Sequence, residues 1–439
     1  MALLHLSCTL IRRVPAVTIT RVGNNRDVSE IRPPGDAVIG PADVANLVFD
    51  SADRVNTFAL AGHRGPGGFV DPDGGIDLTR ARQILGRRAL GVPRLCQIAD
   101  TTGRVWRWRD ATVDPDRHIR AVAATSLEGL CAQRMAVRLD RAYPLWEIVL
   151  VPRISPGHAG VVIRIHHAVA DGLAAAAMLA SLADPDPALT AVRPPTIGDD
   201  AARRRGLGQL WKVVTGSRVP TTSSLLGTTD GPHSVRFGEI GLSALRAGAL
   251  AADGTVNEGV LGAVAGAVST TLRSLGENPP ESVAVSVPVA LARRQGQGNA
   301  IGSALVPLPL RIDDRVERIR AIHTGAAPAI ADARHAGEFP PVHSRWMMRQ
   351  FVRYSLHQRR IGLVTSDVRG PAHRLSFDGA PLLDMHAVGT LGGNVRISIV
   401  AASYAGMLSW GVHTAAAIPA DTMADALSTE LDAIARLAQ

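Results

Sequence analysis

The stretch His166-His167-Ala168-Val169-Ala170-Asp171-Gly172 decides how this chain is read. Two adjacent histidines stand directly behind the apolar run Gly160-Val161-Val162-Ile163-Arg164-Ile165 and ahead of an alanine-rich segment, Leu173 to Leu182. The run reads as a buried strand and the alanines suit a closely packed helix, so the histidines fall at a strand-to-helix turn. Upstream, Glu147-Ile148-Val149-Leu150-Val151 reads as a partner strand, with Ser155-Pro156-Gly157 as the turn of a hairpin. Imidazole is the side chain whose ordinary pKa lets it take up and return a proton near neutral pH. Asp171 is close enough in sequence to orient a ring or brace the turn. On its residues alone the stretch admits a proton-transfer site, a turn of satisfied core histidines, or a metal site built on His167 and Asp171. A metal would want further ligands, and no second His/Cys/Asp cluster stands out, so no metal is expected.

Outward from this turn, the pattern predicts a helix over 121–139 and a buried helix over 172–183. From about 184 to 234, prolines 185, 187, 194, 195 and 220 and the cluster Thr221-Thr222-Ser223-Ser224 break the periodicity and read as a linker. A second unit follows, with a helix over 256–275 that shows small residues (Gly259, Ala263, Gly266) on one face. Strands are expected at 282–290, 304–312 and 362–367, helices at 314–335 and 344–357, a hairpin over 396–414 turning at Tyr404-Ala405-Gly406, and a last helix over 421–438. The organisation expected is an irregular extension at 1–37, a unit at 38–183, a linker at 184–234 and a unit at 235–439. Hairpins mixed with helices in both units point to an α/β protein of two layered subdomains.

Composition narrows the function. With 439 residues, 46% hydrophobic and 20% charged, the chain is a globular protein of more than one core. Its formal charge of +8 would suit nucleic acid, but the arginines are scattered among 39 acids without interleaved aromatics to stack bases, and Lys212 is the lone lysine. Nucleic acid is therefore not an expected partner. Cys8, Cys96 and Cys131 lie far apart, which suits a reducing compartment and no disulfide framework. The apolar start precedes Arg12-Arg13, the reverse of a signal peptide, and no apolar run reaches membrane-spanning length. The expectation is a cytoplasmic protein whose membrane contact, if it has any, is peripheral. A covalent serine mechanism is not expected, because the chain has no Gly-x-Ser-x-Gly elbow.

The His-His-x-x-x-Asp-Gly stretch resembles the signature of the CoA-dependent acyltransferase superfamily, and the chain is most similar to bacterial wax ester synthase/diacylglycerol acyltransferases. That family also carries a Pro-Leu-Trp-Glu stretch, here Pro144-Leu145-Trp146-Glu147, and an Asn-Asp pair at a second-domain helix, here Asn257-Glu258 with Glu in place of Asp. A Gly-Asn connection at Gly298-Asn299, the strand Ala304-Leu305-Val306-Pro307-Leu308-Pro309-Leu310 and the turn Ser403-Tyr404-Ala405-Gly406 complete the match from about residue 38 onward. The resemblance implies two chloramphenicol-acetyltransferase-like subdomains with mixed or antiparallel sheets and an active-site tunnel between them. It implies acyl-CoA as co-substrate, no bound cofactor, and a lipid alcohol as acceptor, either diacylglycerol or a long-chain alcohol, with a membrane or lipid-droplet surface as a peripheral partner. His167 would be the general base, acting without an acyl-enzyme. His166, Asp171 and Gly172 would support it, with Asp171 paired to an arginine. Asn257, Pro144, Leu145 and Trp146 would line or brace the substrate site, and capping a helix is an equal alternative for Asn257. Two other readings stay open: a condensation-type enzyme using a small alcohol, an amine or a carrier-bound acyl group, and a non-catalytic lipid-binding relative.

Overall fold

The computed structural model describes residues 37–70, 75–155, 158–185, 218–290, 301–336 and 345–439. The extension expected at 1–37 (Ala37 apart), the Gly-Asn connection and most of the expected linker lie outside these residues. The first half runs β1 (Ala37–Val38), α1 (Pro41–Phe49), β2 (Thr57–Arg64), α2 (Leu78–Leu90), β3 (Gln97–Asp100), β4 (Arg107–Asp110), α3 (Pro115–His118), β5 (Ile119–Ala121), α4 (Leu127–Met135), β6 (Trp146–Ser155), β7 (His158–His166) and α5 (Gly172–Leu182). The second runs β8 (His233–Gly241), α6 (Leu242–Ala251), α7 (Val256–Ser274), β9 (Ser282–Ala290), β10 (Ile301–Pro309), α8 (Arg315–Ala336), α9 (Arg345–Ser355), β11 (Ile361–Arg369), β12 (Ser376–Phe377), β13 (Ala380–Pro381), β14 (His386–Val388), β15 (Ile397–Tyr404), β16 (Met407–Ala415) and α10 (Ala420–Ala435). The helix expected over 121–139 is shorter: Arg120 and its neighbours instead pair with β6 as β5, and the Ser126 side chain starts α4 by accepting the Gly129 N–H.

The hairpin β6–β7 forms the middle of a five-stranded sheet of order β14-β2-β7-β6-β5. Its strands are apolar on both faces because both faces are covered. Trp146, Ile148, Leu150, Ile163 and Ile165 turn to one core, and Val149, Val151 and Val162 turn to another under Leu130, Cys131 and Met135 of α4. On that second face Glu147 sits directly opposite Arg164 and pairs with it at 2.9 Å. The second sheet is mixed, in the order β10-β9-β11-β15-β16-β8, with β11 parallel to both of its neighbours. Leu261, Val264 and Val268 of α7, Ile319 of α8 and Leu427 of α10 pack into its core. The fold is thus a mixed α/β arrangement of two main sheets, each with its own helices, and two small ones, β1-β4-β3 and β12-β13.

The boundary between the halves is not clean. Strand β14 lies inside the segment assigned to the second unit, yet it pairs with β2, His386 opposite Ala61. Leu375, Phe377, Leu382 and Met385 pack into the first core with it. Strand β15 serves both: Ile397, Ile399 and Ala401 face the second core, while Val400, Ala402 and Tyr404 face the first. The β12–β13 turn, Asp378-Gly379 with both residues at positive φ, is clasped by Asp184, whose carboxylate accepts both of their N–H groups and pairs with Arg88 at 2.7 Å. Residues 375–404 therefore stitch the two sheets into one body along the edge where the His-His turn emerges.

Candidate active site

Strand β7 ends at His166, and the chain turns through Val169, whose N–H reaches the His166 carbonyl at 2.8 Å. Asp171 then starts α5 as its N-cap, its Oδ1 accepting the Ala174 N–H at 2.8 Å. Gly172 is required by space: a Cβ there would come within 2.9 Å of the Val368 side chain on β11. The turn is thus pressed between its own sheet and the second one.

The two histidines are held differently. His166 is buried, and its Nδ1 accepts the Ala168 N–H at 3.0 Å, which leaves the ring proton on Nε2. That nitrogen faces Oδ2 of Asp50 at 3.7 Å, longer than a hydrogen bond. Burial pushes the His166 pKa down, with Asp50 opposing. Asp50, also buried, accepts the Asn56 N–H at 3.1 Å, Arg138 Nε at 2.9 Å and Arg141 Nη2 at 3.0 Å. Burial alone would raise the Asp50 carboxyl; the N–H edge of His166, Arg138 and the Asn56 amide outweigh it and hold the group well below the usual carboxylate range. His166 is a neutral strut on an ionised post.

His167 keeps part of its surface open to solvent, and its ring meets Phe58 edge-on with centroids 4.9 Å apart. Its N–H donates to the Asn56 carbonyl at 3.0 Å, and its carbonyl accepts from Asn46 Nδ2 at 3.3 Å. Asn56 Nδ2 closes the clasp by donating to the Asn46 carbonyl at 2.9 Å and to its Oδ1 at 3.0 Å. Dense surroundings push the His167 pKa down to about 4, with His166 adding to the shift and Asp171 opposing it. At neutral pH the ring is therefore uncharged and able to accept a proton.

Pro144, Leu145 and Trp146 are buried supports of this turn. The Leu145 carbonyl accepts the His166 N–H at 3.0 Å. The Trp146 indole donates to the Leu95 carbonyl at 2.8 Å, and its ring stacks on His118 with centroids 4.3 Å apart. Asn257 lies in the first turn of α7, and no hydrogen bond among the described residues links it to the His-His turn. The cap there is Thr255, not Asn257: the Thr255 side chain accepts the Glu258 N–H, and Glu258 returns the bond to the Thr255 N–H at 2.7 Å. Glu258 also pairs with His323 at 2.9 Å. Among the described residues, Asp171 Oδ1 accepts the main-chain N–H of Ala174. Sequence reasoning missed Asn46, Asp50 and Asn56. Asn46 lies within α1, and the only signal at Asp50 and Asn56 is polar residues in the connection from α1 to β2, which ordinarily mark the turn itself.

A pocket of about 190 Å³ backs onto the clasp, lined by Asn46, Phe49, Val55, Asn56, Thr390 and Gly393 among others. A second of about 190 Å³ adjoins it, sharing Arg54, Val55 and Leu391. Both lie where the α1–β2 connection meets the segment following β14. Among the described residues no group of three or more His, Cys, Asp or Glu is arranged to hold a metal ion.

The profile of the wax ester synthase/diacylglycerol acyltransferase catalytic domain matches residues 43–305, more than half of the chain, and that of the WS/DGAT C-terminal domain matches 297–435. The chain belongs to the wax ester synthase/diacylglycerol acyltransferase family. It is an acyltransferase of that family. A putative diacylglycerol O-acyltransferase of Mycobacterium bovis is 26% identical over 384 residues, covering 75% of this chain and 81% of that one. A probable diacylglycerol O-acyltransferase of Mycobacterium tuberculosis matches with the same identity and coverage. Among solved structures, the wax ester synthase/diacylglycerol acyltransferase from Marinobacter aquaeolei VT8 superposes with a TM-score of 0.66 at 20% identity, covering 92% of this chain and all of that one. A starter condensation domain of rhizomide synthetase, solved with C8-CoA, superposes at 0.59 with 15% identity, covering 92% of this chain and 95% of that one. At those identities the likeness is one of fold, and it agrees with the two-sheet α/β architecture expected of the family.

Proposed function

We propose that the enzyme moves a fatty acyl group from acyl-CoA to the hydroxyl of diacylglycerol or a long-chain alcohol, with His167 as general base. The observation that carries this reading is the His167 ring itself: partly open, clasped through its main chain on both sides, and held uncharged by its surroundings. The neutral imidazole takes the proton from the acceptor hydroxyl, and the oxygen attacks the thioester carbonyl. The carbon–sulfur bond breaks, and the departing CoA sulfur receives the proton from the imidazolium, so no acyl-enzyme forms. His166 and Asp50 fix the turn from behind, and Asp171 and Gly172 fix the exit into α5. Acyl-CoA is the co-substrate, no resident cofactor takes part, and a lipid acceptor places the enzyme on the cytoplasmic face of a membrane or lipid body. No helix among the described residues is long and apolar enough to cross a membrane, which suits contact from one side.

The test is release of CoA thiol by purified enzyme offered acyl-CoA with diacylglycerol, a fatty alcohol, a short alcohol or an amine. Ester formed on the lipid acceptors, and lost in His167→Ala, supports the proposal. Turnover confined to short alcohols or amines moves the protein to the condensation-type reading, and thiol release independent of any acceptor rejects acyl transfer.

A further inference from the structure

The pocket behind the His167 clasp carries hydrogen-bond donors that the acyl-transfer step does not use. On one side the chain after β14 runs through Thr390-Leu391-Gly392-Gly393, all of which line it. Among the described residues, the main-chain N–H groups of Leu391, Gly392 and Gly393 have no acceptor. The loop itself is held stiffly. Thr390 Oγ1 donates to the Val55 carbonyl at 2.9 Å, and the Val395 N–H closes a turn on the Gly392 carbonyl at 2.9 Å. Asn394 Nδ2 donates to the Gln358 carbonyl at 2.8 Å, and Gln358 Nε2 returns a bond to Asn394 Oδ1 at 2.8 Å. Gly393 sits at φ 63°, and a Cβ there would come within 2.6 Å of the Ser355 carbonyl at the end of α9. Gly392 leaves its side open, with nothing within 4 Å of where a Cβ would stand. Successive N–H groups in a turn that passes into the left-handed region make a concave seat for an anion.

The other side carries Arg54. Its Nε is buried, and its guanidinium makes no hydrogen bond or ion pair among the described residues. Among the residues that line the pocket it is the only charged one. Asp50, four residues earlier, is already matched by Arg138 and Arg141. The adjoining pocket differs, because Asp53 and Asp230 line it and would repel an anion. A guanidinium beside unspent main-chain N–H groups suits an oxyanion, and its fork fits two phosphate oxygens at once. At about 190 Å³ the space is smaller than the roughly 300–1,000 Å³ that holds a whole drug-sized ligand, so it suits one group of a larger molecule or a small ion.

We propose that Arg54 and the N–H groups of Leu391, Gly392 and Gly393 bind a phosphate group in this pocket. Acyl-CoA, which carries its phosphates at the end away from the thioester, is one source, and for that source the proposal rests on the acyl-transfer reading above. Free phosphate is the other. Asn46 and Asn56 line the same pocket and clasp the His167 main chain, so a bound phosphate braces the connection that presents the ring.

The test is calorimetric titration of the full chain with CoA, with dephospho-CoA, which lacks the 3′-phosphate, and with inorganic phosphate. Loss of a charge-assisted bond to phosphate corresponds to about 10–100-fold in affinity. Arg54→Gln should therefore weaken CoA binding by that factor and raise the KM for acyl-CoA in step, and Arg54→Lys should recover part of the loss. Gly392→Asp, which sets a carboxylate in the open side of the pocket, should weaken binding at least as much. The unfolding transition should stay native in each variant, because Arg54 has no partner to lose and a Cβ at Gly392 meets nothing. Dephospho-CoA binding that no longer senses Arg54 places the 3′-phosphate in the pocket; binding that still senses it places the diphosphate there. Phosphate binding that depends on Arg54, beside CoA binding that does not, keeps the site and assigns it to free phosphate. The proposal is overturned if neither CoA nor phosphate responds to Arg54→Gln and Gly392→Asp. Arg54-dependent CoA binding by a chain that transfers no acyl group leaves the pocket standing and removes the acyl-transfer reading instead.

Discussion

Helices α5 and α7 both begin at residues that the family resemblance marks as functional, and the two beginnings are built differently. The start of α7 is self-contained: Thr255 and Glu258 satisfy each other's main chain within four residues, and His323 of α8 is the added partner. The start of α5 is wired outward. His166, His167 and the turn after them draw on Leu145, Asn46, Asp50 and Asn56, from elements far away in the chain. A helix cap needs neighbours only; a side chain that must present one nitrogen in one direction needs its backbone fixed from several sides. The wiring therefore distinguishes the two helix starts where the motif alone does not.

The largest expected effect comes from the ring at the end of that wiring. His167→Ala should lower kcat/KM by about 10²–10⁴-fold with the unfolding transition unchanged. Equal turnover by the variant would reduce the whole α5 start to a structural device like that of α7. Next in size is the post behind it. Removing one partner of a buried charge cluster costs about 3–5 kcal/mol. Arg138 and Arg141 keep roughly a third of their side-chain surface in water, so Asp50→Ala should cost nearer 2 kcal/mol. A lower denaturant midpoint at constant slope would report that loss. Turnover should fall too, because the Asn56 loop that clasps His167 loses its anchor; full activity in a destabilised variant would show that the post serves the fold alone.

The same contrast explains what the sequence could show. Strands β6 and β7 are legible because their apolar runs are unbroken, which follows from burial on both faces. Helix α7 is legible from its small-residue face, and the His-His turn from its position between strand and helix. Strand β14 is not: His386-Ala387-Val388 is too short for any periodicity, and its partner Ala61 belongs to the other half. Asp50 and Asn56 are equally silent, since carboxylate and amide side chains between helix and strand ordinarily serve the turn. The capping box at α7 is legible as Thr255-x-x-Glu258, with Asn257, the residue that the resemblance marks, between its two members.

Acidity offers a third, smaller test of the His167 environment. Burial lowers its folded pKa to about 4, against an ordinary value near 6.5. The ring thus stays neutral down to that pH, and the acid limb of kcat/KM should be centred near 4, with a plateau through neutrality. The sign for stability is the same: as pH falls from 6.5 toward 4 the unfolded chain takes up the proton first, so this ring's contribution to stability is lost over that window. An acid limb between 6 and 7 would mean that the ring is not held neutral by its surroundings, and the distinction between the two helix starts would lose its electrostatic half.

The smallest effect sharpens the comparison from the other side. Thr255→Ala removes one half of the capping box and should cost about 1 kcal/mol of stability, with kcat and KM unchanged, because no hydrogen bond among the described residues links that turn to the His-His stretch. Asn257→Ala, at a position that makes no described hydrogen bond, should leave stability within about 0.5 kcal/mol. Its kinetics decide its role. An unchanged KM for acyl-CoA leaves the start of α7 purely structural. A raised KM with unchanged stability would make Asn257 a substrate contact reached only when acyl-CoA is bound, and would bring the second sheet's helix into the same site as His167.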